Sequence, residues 1–217
     1  SYRFLFVPET IGSIYSLSER GDFWKKNLIA GFIVNCIGDN GKFTYKRSRK
    51  GDCLTDRASE ITLEQTEENY SIIDFFPGGS DERQYCSPGF NLPVGSLMRT
   101  MYKAYEEYHT SADNKDFISF EAMEKSIEKY LEIINLIEKN TKYINQYPFC
   151  EPQLGKRGLY PTLGSQKEKS EFVNAMRWIL NFSDGNHDLI SISQKSKIPL
   201  RKLYPVVEEL IDKKIIR

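Results

Sequence analysis

Tyr2-Arg3-Phe4-Leu5-Phe6-Val7-Pro8-Glu9-Thr10-Ile11-Gly12-Ser13 opens the chain with an apolar run that Pro8 breaks and a glycine-containing turn closes. Residues 4–7 read as a buried strand, and residues 14–20 as the helix beyond the break. Strand, loop and helix make the repeating unit of an open α/β sheet, where ligands bind beyond the carboxyl ends of the strands. Glu9 stands at such a position. The pattern recurs further along. Residues 27–37 are apolar and β-branched and end at Gly38-Asp39-Asn40-Gly41, while residues 70–76 run into Pro77-Gly78-Gly79-Ser80-Asp81. Acidic side chains therefore follow three candidate strands.

Between and after these strands, residues 54–69 predict a helix with a charged face and residues 93–98 a further short strand. Residues 119–140 place Met123, Ile127, Leu131, Ile134 and Ile137 at helical spacing between charges, which predicts a long amphipathic helix closing a domain. Residues 147–164, rich in Pro, Gly and Tyr, read as an ordered connector. Helices over 168–182, 188–196 and 199–213 then give a helix-turn-helix pattern. The reading is an α/β domain over 1–146 with a mainly parallel sheet flanked by helices, and a small winged-helix-type domain over 165–217.

The chain has 217 residues with 30 Lys and Arg against 30 Asp and Glu, so no global field holds it on nucleic acid or an anionic membrane. Cys36, Cys53, Cys86 and Cys150 are scattered and form no CxxC pair, which favours a reduced, cytoplasmic setting. No run approaches the roughly 18 apolar residues of a membrane helix, so a soluble protein is expected. An opening at Ser1 that runs at once into a strand predicts a piece of a longer chain. Residues 165–217 hold 10 Lys and Arg against 7 Asp and Glu, with Glu208, Glu209 and Asp212 late in the third helix. DNA is thereby disfavoured as a partner. Docking to a missing N-terminal part or a homo-oligomer contact is favoured.

Several side chains have a chemical reading beside a bland one. His109 is a candidate zinc ligand or a hydrogen-bonded loop residue. Glu9 is a general base or an acid favoured by a helix N-terminus, and Asp39 and Asp81 are ligands or turn carboxylates serving the backbone. Tyr45-Lys46-Arg47-Ser48-Arg49-Lys50 reads first as a solvated loop and second as a contact for phosphate or a carboxylate. Arg47 and Arg83 are the candidates for substrate binding. Cys86 reads as structural. No Gly-x-Ser-x-Gly, P-loop or His-Glu-x-x-His motif is present, which removes the serine hydrolase, nucleotide-binding and gluzincin classes.

Phe4-Leu5-Phe6-Val7-Pro8-Glu9-Thr10-Ile11-Gly12-Ser13, Gly79-Ser80-Asp81-Glu82 and Tyr108-His109-Thr110-Ser111-Ala112-Asp113-Asn114 resemble, in order, three motifs of the zinc-dependent aminopeptidase superfamily that includes glutaminyl cyclases. With Cys150-Glu151-Pro152-Gln153-Leu154-Gly155-Lys156-Arg157-Gly158-Leu159-Tyr160-Pro161 and the helical tail, the chain is similar nearly throughout to a bacterial aminopeptidase-like group that ends in a winged helix and is associated with polysaccharide biosynthesis. The resemblance implies one or two zinc ions, Glu9 as the catalytic glutamate, His109 as a zinc ligand and Tyr108 as an oxyanion donor. Asp81 matches the aspartate of a Ser-Asp-His loop, and Asp39 stands near the place of a strand-end aspartate ligand. The departures are Thr10 in place of a glutamate ligand and Glu82 in place of the loop's histidine. Relatives draw a further histidine and a bridging aspartate from a segment upstream of Glu9. Two readings result: a metal-dependent hydrolase acting on a peptide or amide, or a degenerate aminopeptidase fold serving as a binding or regulatory module.

Overall fold

A computed structural model describes residues 1–66, 68–159 and 166–217, with the side chains of 166–169 left undescribed. Contacts divide the chain into two units, Ser1–Ile137 and Glu138–Arg217.

In the first unit the order is α1 (Ile11–Asn27), β1 (Gly31–Ile33), β2 (Phe43–Lys46), α2 (Leu54–Glu64), β3 (Tyr70–Ile73), α3 (Glu82–Tyr85), β4 (Val94–Met98) and α4 (Phe120–Lys139). The sheet order is β1-β4-β2-β3. β1 runs parallel to β4 and β2 parallel to β3, while β2 and β4 meet antiparallel. The sheet is thus mostly parallel with one antiparallel seam. Two expectations change here. Residues 4–7 form no strand and their side chains are exposed, because no neighbouring strand among the described residues pairs with them. The basic run at 45–50 is no solvated loop at its start, since all four residues of β2 are buried at the centre of the sheet.

Local chemistry explains that burial. Asp56, fully buried near the start of α2, accepts hydrogen bonds from Tyr45 Oη (2.8 Å), Ser48 N (2.7 Å), Ser48 Oγ (2.6 Å) and Cys53 N (3.1 Å). The β2–α2 turn is thereby wound around one carboxylate whose oxygens are well satisfied. A Cβ at position 95 would sit 2.3 Å from the Tyr45 hydroxyl, so Gly95 on β4 makes room for that side chain. α4 lays Ala122, Ser126, Tyr130 and Ile133 inward, and Tyr130 Oη donates to the Leu97 carbonyl at 2.5 Å. Leu17, Trp24, Tyr85, Cys86, Leu92 and Val94 form a core cluster in which the Cys86 thiol donates to the Val94 carbonyl.

The second unit contains β5 (Lys142–Ile144), α5 (Gln166–Phe182), β6 (Asp184–Asp188), α6 (Leu189–Ser196) and α7 (Leu200–Asp212). β5 and β6 pair antiparallel, and Asn145 bridges Ile216, which closes a small sheet beside the three helices. Asp188 accepts from Ser191 N and so caps α6. Met176, Ile179, Ile190, Ile192, Leu203, Val206 and Leu210 form its buried core. The expected boundaries at 146 and 164 fall inside this unit, because residues 142–144 are one of its strands. Part of the expected connector, residues 160–165, lies outside the described residues. No helix among the described residues is long and apolar enough to cross a membrane.

Candidate active site

A buried lysine organises the loop that carries Asp81. Lys46 Nζ donates to the Gly78 carbonyl (2.7 Å), to Glu82 Oε1 (2.7 Å) and to Tyr102 Oη (2.9 Å), and lies 3.7 Å from the centre of the Phe76 ring. The side chains of Lys46 and Glu82 are fully buried. Gly79, between those contacts, has φ of 108°, and a Cβ there would overlap the Tyr102 hydroxyl. Both ends of the loop are therefore pinned. Asp81 Oδ1 then accepts from Thr10 N (2.7 Å) and Oδ2 from Ser13 Oγ (2.7 Å). This anchors the first turn of α1 and holds Thr10 at φ of 61°, directly beside Glu9.

Beyond β1 the chain reaches Cys36, whose carbonyl accepts from Arg99 N and whose sulfur accepts from Tyr105 Oη at 3.4 Å. Burial raises the Cys36 thiol pKa, and the charges of Asp39, Asp113 and Glu9 raise it further. It is no activated thiolate. Tyr105 meets Tyr108 edge-on at 5.6 Å, Tyr102 lies 6.5 Å from Tyr108, and Tyr108 stacks on His109 at 4.0 Å. Burial, followed by Glu9, Cys36 and Glu82, raises the Tyr108 hydroxyl pKa. Tyr102 and Tyr105 are raised as well, again chiefly by burial. Three tyrosines stay protonated as donors beside a set of carboxylates.

Asp81 thus holds Thr10 next to Glu9, Tyr108 and His109 lie against each other, and the Glu9 charge reaches the Tyr108 hydroxyl. Glu9 and His109 are exposed, and His109 sits at φ of 59°. Asp39 is buried, with Oδ1 accepting from Gly41 N (2.7 Å) and from the Thr100 hydroxyl, and Oδ2 from Thr100 N (3.1 Å). Arg47 is turned elsewhere, its guanidinium bonded to Glu60 (2.6 Å) and Asp74 (2.6 Å). Arg83 is exposed on α3. Sequence reasoning missed Lys46, Tyr102 and Tyr105; the three-residue spacing of Tyr102, Tyr105 and Tyr108 was the only available signal.

The donor set does not by itself fit a zinc ion. Asp39 and Asp81 already serve backbone and hydroxyl donors, Glu82 is committed to Lys46, and no group of three or more His, Cys, Asp and Glu among the described residues is arranged to hold a metal.

Helices packed on a mostly parallel sheet, followed by three helices with a small sheet, define a chain that couples an α/β unit to a winged helix. Residues 1–140 match the family described as Domain of unknown function (DUF4910), to which the chain belongs, and residues 141–217 match winged helix-turn-helix. The chain is 48% identical over 203 residues to a Clostridium acetobutylicum protein provisionally named a polysaccharide biosynthesis protein with aminopeptidase-like domain, covering 94% of this chain and 46% of the relative. The crystal structure of a Clostridium acetobutylicum protein provisionally named a peptidase matches with a TM-score of 0.86 and 44% identity, over 100% of this chain and 48% of that one. The chain therefore spans about half the length of the relatives it matches.

Proposed function

We propose that the first unit belongs to an aminopeptidase-type hydrolase of peptide or amide bonds, working in polysaccharide biosynthesis as the relative's name suggests. The observation that carries this reading is geometric: Asp81 holds Thr10 N at 2.7 Å next to Glu9, and the Tyr108 ring stacks on His109 at 4.0 Å, with the Glu9 charge adding to the rise in the Tyr108 hydroxyl pKa. Glu9 takes the proton of the attacking water, and the Tyr108 hydroxyl donates to the carbonyl oxygen as negative charge builds on it. Zinc is part of the proposal only for the whole protein, where donors from outside residues 1–217 would have to join His109.

In the full-length protein, turnover of aminoacyl amides should fall about 100- to 1,000-fold in kcat for Tyr108→Phe with KM nearly unchanged, the effect of losing one oxyanion donor. An unchanged kcat would remove Tyr108 from the chemistry. The second reading, a binding or regulatory module, is favoured by the commitment of Asp39, Asp81 and Glu82 to structural partners. It predicts no turnover by the wild-type full-length protein on any aminoacyl amide.

A further inference from the structure

Lys46 ends β2, yet its ammonium N–H groups reach three other segments: the Gly78 carbonyl of the loop after β3 (2.7 Å), Glu82 Oε1 on α3 (2.7 Å) and Tyr102 Oη beyond β4 (2.9 Å). Each contact leads toward the candidate site. Gly78 and Glu82 bracket Asp81, which accepts from Thr10 N and Ser13 Oγ and so fixes the backbone beside Glu9. Tyr102 opens the segment that runs on to Tyr108, their rings 6.5 Å apart. One buried side chain therefore joins two stretches that lie far apart in the sequence. The backbone at both ends of this route is also held in an unfavourable conformation. Thr10 and Lys103 have φ of 61° and 65°, and His109, beside Tyr108, has φ of 59°. Left-handed backbone at residues with a Cβ persists only where the surroundings fix it.

Stability alone accounts poorly for the Lys46–Glu82 pair. Apolar side chains of similar volume often match or better a fully buried ion pair, but they cannot supply directional hydrogen bonds to three segments at once. We infer that Lys46 is a positioning residue of the site: through Gly78, Glu82 and Tyr102 it holds the segments carrying Glu9 and Tyr108 in one geometry, without itself touching substrate. What that geometry does for turnover rests on the hydrolase reading. The geometry itself does not.

The test uses the full-length protein and the double variant Lys46→Met with Glu82→Leu, which removes the hydrogen bonds and leaves no unpaired charge from the pair in the interior. Hydrogen exchange read by mass spectrometry should show the amides of residues 10–14 exchanging at least about 10-fold faster than in wild type, while those of α4 keep their rate. On an aminoacyl amide, kcat should fall about 100-fold with KM within about threefold, the effect of displacing the reacting groups by about 1 Å rather than losing them. A purely structural pair predicts neither change in a double variant whose thermal midpoint is restored. Tyr102→Phe leaves Lys46 its counter-charge and carries the test if the double variant does not fold. In it the amides of Ala104 and Tyr108, bonded to the Met101 and Tyr105 carbonyls, should exchange at least about 10-fold faster than in wild type. Wild-type exchange over residues 10–14 in a folded double variant, or over 104–108 in Tyr102→Phe, would overturn the inference. So would a double variant whose kcat equals that of an active wild type. A wild-type protein without turnover would instead refute the hydrolase reading and leave the exchange measurements to decide the role of Lys46.

Discussion

Lys46 is the side chain on which most of the first unit's polar geometry depends. Its ammonium is fully buried with Glu82 as counter-charge, and Glu82 Oε2 has no hydrogen-bond partner among the described residues. Removing one member of such a pair leaves an uncompensated charge in a low-dielectric interior, whereas replacing both with apolar groups is often tolerated. Lys46→Met should therefore cost about 3–5 kcal/mol in urea unfolding, and the double change Lys46→Met with Glu82→Leu should recover most of that loss. A double variant as unstable as the single one would show that the hydrogen bonds of Lys46 to Gly78 and Tyr102 matter more than the charge. Asp56 supplies a parallel case. Asp56→Ala strands the donors on Tyr45, Ser48 and Cys53 and should cost about 3 kcal/mol or more in the same measurement. None of this was visible in the run at 45–50, because burial of a lysine there depends on a glutamate 36 residues away.

Among the elements, legibility followed periodicity. α4 and α7 fall within a residue of the expected 119–140 and 199–213, since both show an unbroken apolar stripe at helical spacing. Strands fared worse. β2 is four residues long and ends in a lysine, β5 (Lys142–Ile144) is only three residues long, and β6 is the polar stretch Asp184–Asp188, so period and composition were both silent. At residues 4–7 the composition spoke clearly, but the pairing it calls for is absent among the described residues. The turn at the start of β6 gives a pH prediction. The Asp184 carboxyl accepts from Asn186 N and His187 N, and these bonds lower its pKa to about 2. A carboxylate whose pKa is lowered on folding contributes stability above its unfolded value near 4, and that contribution disappears as the pH falls through about 2. The stability gap between wild type and Asp184→Asn, followed by thermal unfolding, should accordingly shrink from pH 5 to pH 2. A gap constant across that window would contradict the assignment.

For the whole molecule, the two units pose separate questions. α7 exposes Arg201 and Lys202 near its start, but Lys202 is paired with Glu171 at 2.6 Å, and Glu208 and Asp212 are exposed further along. Anisotropy titration with duplex DNA at about 150 mM salt should therefore show only weak, sequence-independent binding. A salt-resistant, sequence-selective complex disrupted by Arg201→Ala would make α7 a DNA reader instead. The first unit turns on Glu9. Sequence singled out Glu9 from an expected strand that does not form, a proline and a glycine turn, and Tyr108 from its place beside His109, whereas the packing of Tyr105 on Cys36 near them could be found only in three dimensions. The most direct measurement is kcat of the full-length protein on an aminoacyl amide, with Glu9→Gln beside wild type and thermal midpoints to verify folding. A general base at Glu9 predicts a loss of about 100- to 10,000-fold in kcat with an unchanged midpoint. Turnover by Glu9→Gln at the wild-type rate would contradict it.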